Sequence, residues 1–155
     1  MTIDLKAGDA APDFDMAADQ GRVTLSDFKG RTLVLYFYPK DDTTGCTNEA
    51  KAFSEASEDF AAAGAVVVGV SKDSVASHAR FKAKYALTLA LGSDPDGAVV
   101  EGYGVWVEKS MYGRQYMGID RSTFLIDGAG VIRRVWRKVK VPGHVAEVLA
   151  AVKAL

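Results

Sequence analysis

The chain reads as an α/β protein built on a central mixed β-sheet flanked by helices. Three observations predict this. Arg31 to Tyr38 and Ala65 to Val70 are apolar runs almost without polar alternation, as strands covered on both faces are. Between them lies a helical stretch that runs to Phe60 and is closed by Gly64, so the three segments form a βαβ unit. Further on, a β-prone run at Ser122–Ile126 and another from Val131 to Trp136 flank Asp127-Gly128-Ala129-Gly130, the pattern of an antiparallel hairpin.

In chain order, residues 1–11 are small and polar, a surface lead-in. Pro12 to Leu25 holds two short mixed segments around Asp19-Gln20-Gly21, which predicts a β-hairpin. Ser26 to Gly30 predicts one helical turn closed by glycine. The helix from about Cys46 places Ala50, Phe53, Ser57 and Phe60 on one stripe, with Lys51, Glu55, Glu58 and Asp59 largely elsewhere. Ser74 caps a helix through about Tyr85, with Val75, Phe81 and Tyr85 packing inward. A short strand is expected at Leu87 to Leu91. A turn at Asp94-Pro95-Asp96-Gly97 then enters a short helix near Ala98–Tyr103, and a loop or bend follows at Gly102 to Trp106. The last helix runs from about His144 to Ala154 with Val145, Val148, Leu149 and Val152 inward. The order hairpin, βαβ, helix, strand, hairpin, helix is that of the thioredoxin fold, which does not by itself fix a function.

The bounds are those of an ordinary globular protein. All 155 residues read as one domain, 1–155, with 48% hydrophobic and 25% charged residues. A formal net charge of −1 gives no reason to expect nucleic acid or an anionic membrane as partner. The N-terminus lacks a basic start followed by an apolar run, so no signal peptide is expected, and the longest apolar stretch is about half a bilayer span. One cysteine cannot form an internal disulfide, which fits a reducing, cytoplasmic setting.

That cysteine is the chemical centre. A lone cysteine is ordinarily a small buried hydrophobe. Cys46, however, follows Gly45 in a loop leaving a buried strand, at the first turn of a helix. Free backbone N–H groups and the helix dipole there favour a thiolate. Thr43 and Thr44 add hydroxyls within reach. Asp41, Asp42 and Glu49 would oppose ionisation if they faced the sulfur, so they must point away or be neutralised, and Arg121 is the candidate cation.

Pro39-x-x-x-Thr43-x-x-Cys46 resembles the active-site signature of the peroxiredoxins, and the run from Tyr36 to Ala50 resembles their bacterioferritin comigratory, or Q-type, subfamily. The likeness continues through Gly104 to Lys109, Tyr116 to Ile119, Arg121 to Asp127 and Trp136 to Lys140, in the family's order. It implies a thioredoxin fold with an N-terminal β-hairpin extension and a thiol-dependent peroxidase acting on hydrogen peroxide and organic hydroperoxides, with no cofactor and no metal. By resemblance Cys46 is the peroxidatic nucleophile and Thr43 the hydroxyl that orients the peroxide. Pro39 walls the pocket from water, and Arg121 supports both thiolate and peroxide; Gly45 with Cys46 offers backbone N–H groups to the substrate. Pro39 could instead simply stop a strand, Thr43 could be a turn residue, Arg121 a solvated charge, and Trp106 ordinary packing. His78 and His144 have no metal-ligand spacing, which favours surface or structural roles.

Many subfamily members carry a second cysteine five positions after the first, where this chain has Lys51, or on the next helix, where residues 74–86 hold none. The sulfenic acid formed at Cys46 therefore needs an external thiol: thioredoxin, glutaredoxin or a low-molecular-weight thiol. The resemblance leans toward a monomer. Other classes fit less well. A thiol–disulfide oxidoreductase would want a second thiol at position 49, which is Glu, and a redox sensor would keep a reactive Cys46 without turnover. A cysteine hydrolase would need a histidine placed by a motif. Gly102-x-Gly104 lacks the rest of a dinucleotide pattern, and a calcium loop starting at Asp94 fails at Val105.

Overall fold

The computed structural model describes residues 4–19 and 21–155. Gln20, in the expected hairpin turn, and the first three residues of the lead-in lie outside the described residues. A seven-stranded mixed sheet is the frame. Its strands are β1 (Asp15–Ala18), β2 (Gly21–Thr24), β3 (Thr32–Phe37), β4 (Ala65–Ser71), β5 (Ala90–Ser93), β8 (Ser122–Ile126) and β9 (Ile132–Trp136), in the spatial order β2-β1-β5-β4-β3-β8-β9. A separate two-stranded hairpin, β6 (Trp106–Met111) and β7 (Arg114–Ile119), leaves the sheet just before β8. The helices are α1 (Thr44–Glu55), α2 (Ser57–Ala62), α3 (Val75–Tyr85), α4 (Ala98–Gly102) and α5 (His144–Lys153).

β3 is an interior strand, parallel to the central β4 and antiparallel to β8. Its side chains alternate between two cores, which is why its sequence is apolar throughout. Val34, Tyr36 and Tyr38 face α1, α2, α3 and α5, where Phe53, Phe60, Phe81 and Val148 pack. Leu33, Leu35 and Phe37 face the opposite layer, where Phe14, Val23, Val100, Tyr103 and Val105 pack. The turn that follows β8 is fixed by Asp127, whose Oδ1 accepts from the Ala129 and Val131 N–H groups.

Three readings need correction. The helix between β3 and β4 is two helices, because the regular helix is interrupted at Ala56, the C-cap of α1 and the N-cap of α2. Ser57 is therefore half-buried rather than on an apolar stripe, with its hydroxyl turned back to the Ser54 carbonyl. The strand expected from Leu87 begins at Ala90: Leu87 N–H closes the end of α3 on the Lys82 carbonyl and Thr88 N–H donates to Ser54 Oγ, so neither is free for the ladder. The β6–β7 hairpin was not expected. Its turn is Tyr112-Gly113, with Tyr112 at φ 53°, a position where Asn or Asp is the recognisable signal. Residues 4–11 lie at the surface as expected, and their backbone is tied to the β8–β9 turn and the start of β9, with Gly8 and Ala11 donating to the Ile132 and Gly130 carbonyls.

Candidate active site

β3 delivers the chain to the site, and Tyr38 N–H still donates to the Val70 carbonyl before the ladder ends. Pro39 and Lys40 are exposed, and a loop of two acids leads into α1. Thr43 is the N-cap, with extended backbone, and its carbonyl accepts the first helical bond from Thr47. Its hydroxyl does not cap the helix; it donates to the Lys40 carbonyl at 2.9 Å. The N–H groups of Thr44, Gly45 and Cys46 lie in the first turn, ahead of that bond, where a helix has no internal acceptors for them.

Cys46 is a free thiol, only 1% exposed, packed at the edge of the core that holds Tyr36, Tyr38 and Phe53. Arg121, in the two-residue link between β7 and β8, reaches it: Nη2 donates to Sγ at 3.4 Å. The other arm of the guanidinium, Nη1, donates to Glu49 Oε1 at 2.7 Å. Two backbone bonds fix the link itself, from Asp120 N–H to the Val105 carbonyl and from Val139 N–H to the Arg121 carbonyl. Gly45 makes room for the contact, since a Cβ there would sit 3.1 Å from Arg121 Nη2.

The three acids near the thiol are each disposed of. Asp41 is buried and accepts from Tyr38 Oη (2.5 Å), His78 Nδ1 (2.7 Å) and Ser77 Oγ (2.8 Å). Burial opposes its ionisation, but the bonds from His78, Tyr38 and Ser77 outweigh it and hold the carboxyl below its usual range. Asp42 accepts from Lys84 Nζ and Tyr85 Oη, which lower its pKa. Glu49 has a fully buried side chain, and burial raises its pKa to about 7 against the pull of Arg121. Burial also weighs against the Arg121 charge, yet Glu49 and Cys46 outweigh it and keep the guanidinium charged.

The structure thus brings Cys46, Gly45 and Arg121 into one contact, sets Thr43 one turn back at the cap, and leaves Pro39 exposed before the loop. Both histidines are buried and structural, not surface residues: His78 bridges Asp41 and the Gly92 carbonyl, and His144 meets Thr123 Oγ1 at 2.8 Å. Trp106 packs beneath Lys72, whose Nζ lies 4.1 Å from its ring centroid. The sequence leaves Glu49 to be turned away or neutralised, with Arg121 the candidate cation, and the structure shows that pair; Glu49 lies one turn after Cys46, among Cys46, Ala50 and Phe53, where a buried carboxyl needs such a partner. One neighbour of the site escaped the sequence reading. Lys109 on β6 lies in the field of Cys46, Arg121 and Asp120, and burial depresses its pKa. Among the described residues no cluster of ligating side chains could hold a metal ion, and no helix is long and apolar enough to cross a membrane.

A first-turn thiol under a guanidinium, on a thioredoxin-type sheet extended by an N-terminal hairpin, is the apparatus of a peroxide-reducing enzyme. Residues 7–135 match the AhpC/TSA family, and the chain belongs to it. A putative peroxiredoxin Bcp of Coxiella burnetii is 52% identical over 95% of this chain and 98% of its own. The peroxiredoxin Bcp of Bacillus subtilis is 49% identical over 99% and 97%. Among solved structures, a Xylella fastidiosa PrxQ mutant superposes with a TM-score of 0.93 at 41% identity, covering 98% of both chains. Xanthomonas campestris peroxiredoxin Q gives 0.87 at 47% identity, covering 91% and 90%. The chain is therefore a peroxiredoxin of the Q type, a thiol-dependent peroxidase, and its one cysteine suits a sulfenic acid cycle closed by an external thiol. The Xanthomonas protein has been solved with each of two different cysteines replaced by serine. At the same interval from Cys46 this chain has Lys82, paired with Asp19 at 3.1 Å.

Proposed function

We propose that Cys46 reduces hydrogen peroxide and organic hydroperoxides by direct attack of its thiolate on the outer peroxide oxygen. The sulfur takes that oxygen with its hydrogen and becomes sulfenic acid. The O–O bond breaks, and the departing hydroxide or alkoxide takes a proton from solvent to leave as water or alcohol. An external thiol then displaces water from the sulfenic acid to give a mixed disulfide, and a second thiol frees Cys46. The related bacterioferritin comigratory protein of Xanthomonas campestris has alkyl peroxide reduction activity, which supports this reading.

The contact between Arg121 Nη2 and Cys46 Sγ carries this reading. Acidifying a thiol does little alone. A drop from about 8.5 to about 6 raises the thiolate fraction roughly 30-fold at neutral pH. The accompanying loss of nucleophilicity is roughly 18-fold, so the net gain is about twofold. The acceleration must come from holding the peroxide in line and stabilising charge on the leaving oxygen. Arg121 and the first-turn N–H groups of Gly45 and Cys46 supply the donors. Thr43, whose proton is committed to Lys40, offers a lone pair to the peroxide O–H, and Pro39 shields the entrance. The enzyme works as a single-domain monomer in the cytoplasm, with thioredoxin, glutaredoxin or a low-molecular-weight thiol as reductant.

The test is peroxide consumption by wild-type and Cys46→Ser protein with dithiothreitol as reductant, for hydrogen peroxide and cumene hydroperoxide separately. Loss of both activities in the serine variant is expected. Turnover that survives the substitution would put the nucleophile elsewhere.

A further inference from the structure

The connection from β9 to α5 forms a basic cleft that the peroxidase site does not use. Arg137, Lys138 and Lys140 line it, and among the described residues none of the three meets a carboxylate. Arg137 Nη2 donates to the Leu5 carbonyl at 3.3 Å, a neutral acceptor. The one carboxylate in the lining, Glu147, is paired with Arg134 at 3.5 Å. Neither Cys46 nor Arg121 lines the cleft, although Val139 in its wall donates its N–H to the Arg121 carbonyl. α5 begins in the same place, since Gly143, its N-cap, and His144 are both lining residues. Gly143 has no side chain to cap the helix, and the first helical bond runs from Glu147 N–H to the Gly143 carbonyl. The N–H groups of Val145 and Ala146 therefore have no acceptor among the described residues. Trp136 supplies an independent sign. It lines the cleft and is 9% exposed, and its Nε1–H, which can only donate, also lacks an acceptor among the described residues.

We propose that this cleft binds a small phosphate monoester, with the phosphoryl group seated at the N-terminus of α5. The cleft offers what a dianion needs: unpaired backbone N–H groups, the positive end of a helix of ten residues, and three cations. Lys138 and Lys140 are exposed, so their ammonium groups can follow the phosphoryl oxygens as mobile point charges. A volume of about 490 Å³ lies in the range of small-molecule sites and leaves room for the ester substituent beside the phosphoryl group. The acceptor that Trp136 Nε1 lacks is a ligand oxygen or a water that the ligand orders. Binding here needs no thiol and is independent of the peroxidase reading.

The experiment follows amide and indole N–H resonances of the whole chain by heteronuclear NMR. The probes are inorganic phosphate and glycerol phosphate, each against sodium chloride at matched ionic strength. The chain has two tryptophans, so Trp106→Phe assigns the Trp136 indole. Both probes should give saturable shifts at Trp136 Nε1–H and at the Val145 and Ala146 N–H groups, with the monoester binding at least as tightly as phosphate. The double variant Lys138→Gln/Lys140→Gln should weaken binding roughly tenfold, the combined weight of two exposed charge contacts. Glu147→Gln should tighten it by about threefold, because it removes the one negative charge in the lining. Unaltered affinity in both variants, shifts that chloride reproduces, or shifts confined to the Gly45 and Cys46 N–H groups would overturn the site. Phosphate binding clearly tighter than the monoester would overturn the assignment of an ester as the ligand.

Discussion

Glu49 and Arg121 form a buried ion pair, 2.7 Å between Oε1 and Nη1, one helical turn beyond Cys46. The pair leaves Nη2 of the same guanidinium on the sulfur at 3.4 Å. A planar fork can hold both acceptors in fixed relation; an ammonium cannot. Arg121→Lys should therefore lower kcat/KM for peroxide by about 10²-fold, the scale of losing an aligned donor to the transition state. Glu49→Gln keeps an acceptor but removes the charge that orients the fork, and should cost about tenfold. Stopped-flow oxidation of Cys46 measures both, and equal losses for the two variants would count against the ranking.

Burial raises the Glu49 pKa to about 7 from an ordinary 4.5, even with Arg121 beside it. The folded protein then binds this proton more tightly than the unfolded chain. Its contribution to stability is accordingly greatest below pH 4.5 and falls as the pH rises toward 7. In a Cys46→Ser background, the Glu49 carboxyl band in infrared difference spectra should titrate near pH 7. The decline in urea stability across that window should be smaller once Glu49→Gln is added. A band that titrates near 4.5 would show that Arg121 compensates burial fully.

Gly45→Ala separates activity from folding. The new Cβ would lie 3.1 Å from Arg121 Nη2 and push the guanidinium off the sulfur. Alanine is also the better helix former in the first turn of α1, so stability should hold or rise. Peroxide reactivity should fall by roughly tenfold, the size of a weakened transition-state contact, while the melting temperature does not. A variant that melts lower and reacts normally would mean that the backbone, not Arg121, gives way.

Much of this arrangement is legible in the residues, and the exceptions have physical causes. The double-sided burial of β3 is written in its apolar run, and Asp127 with Gly130 marks the β8–β9 turn because their side chain and backbone make it. The β6–β7 hairpin hides because its strands are half or fully exposed through Met117 and carry little burial pattern, and because Tyr112 occupies a left-handed position without the usual chemistry. At the helix interruption at Ala56, Ser57, Ser54 and Thr88 meet across the fold, a set of contacts that no local window contains. At the site, Cys46 and Arg121 were recognisable from the motifs around them. Asp41 was not recognisable as the anchor of the loop before α1, since Ser77 and His78 lie on a helix distant in sequence.

His144 predicts an acid-sensitive fold. Burial lowers its pKa to about 4 from an ordinary 6.5, with the Arg121 charge adding to the effect and Glu147 opposing it. The neutral ring sits edge-on between Phe53 and Trp136 and meets Thr123. Because the unfolded chain takes up this proton first, the stability the neutral ring confers is complete above pH 6.5 and drains away as the pH falls toward 4. Melting temperatures measured across that interval should drop more steeply for wild type than for His144→Gln. Parallel curves would mean that the ring is protonated in the fold without penalty.

Tyr36 offers a last, opposite-signed case. Its ring is fully buried and stacks on Phe53, with centroids 4.6 Å apart, but among the described residues its hydroxyl has no hydrogen-bond partner. A buried hydroxyl without a partner costs its desolvation and returns nothing. Tyr36→Phe keeps the stacking and removes the orphan oxygen, which lies against Gly69 on β4, so it should stabilise the protein by about 1 kcal/mol. Chemical denaturation with an unchanged m-value would give the comparison cleanly. A loss of similar size would instead reveal a buried water bonded to Tyr36 Oη, because only a satisfied hydroxyl is missed when it is taken away.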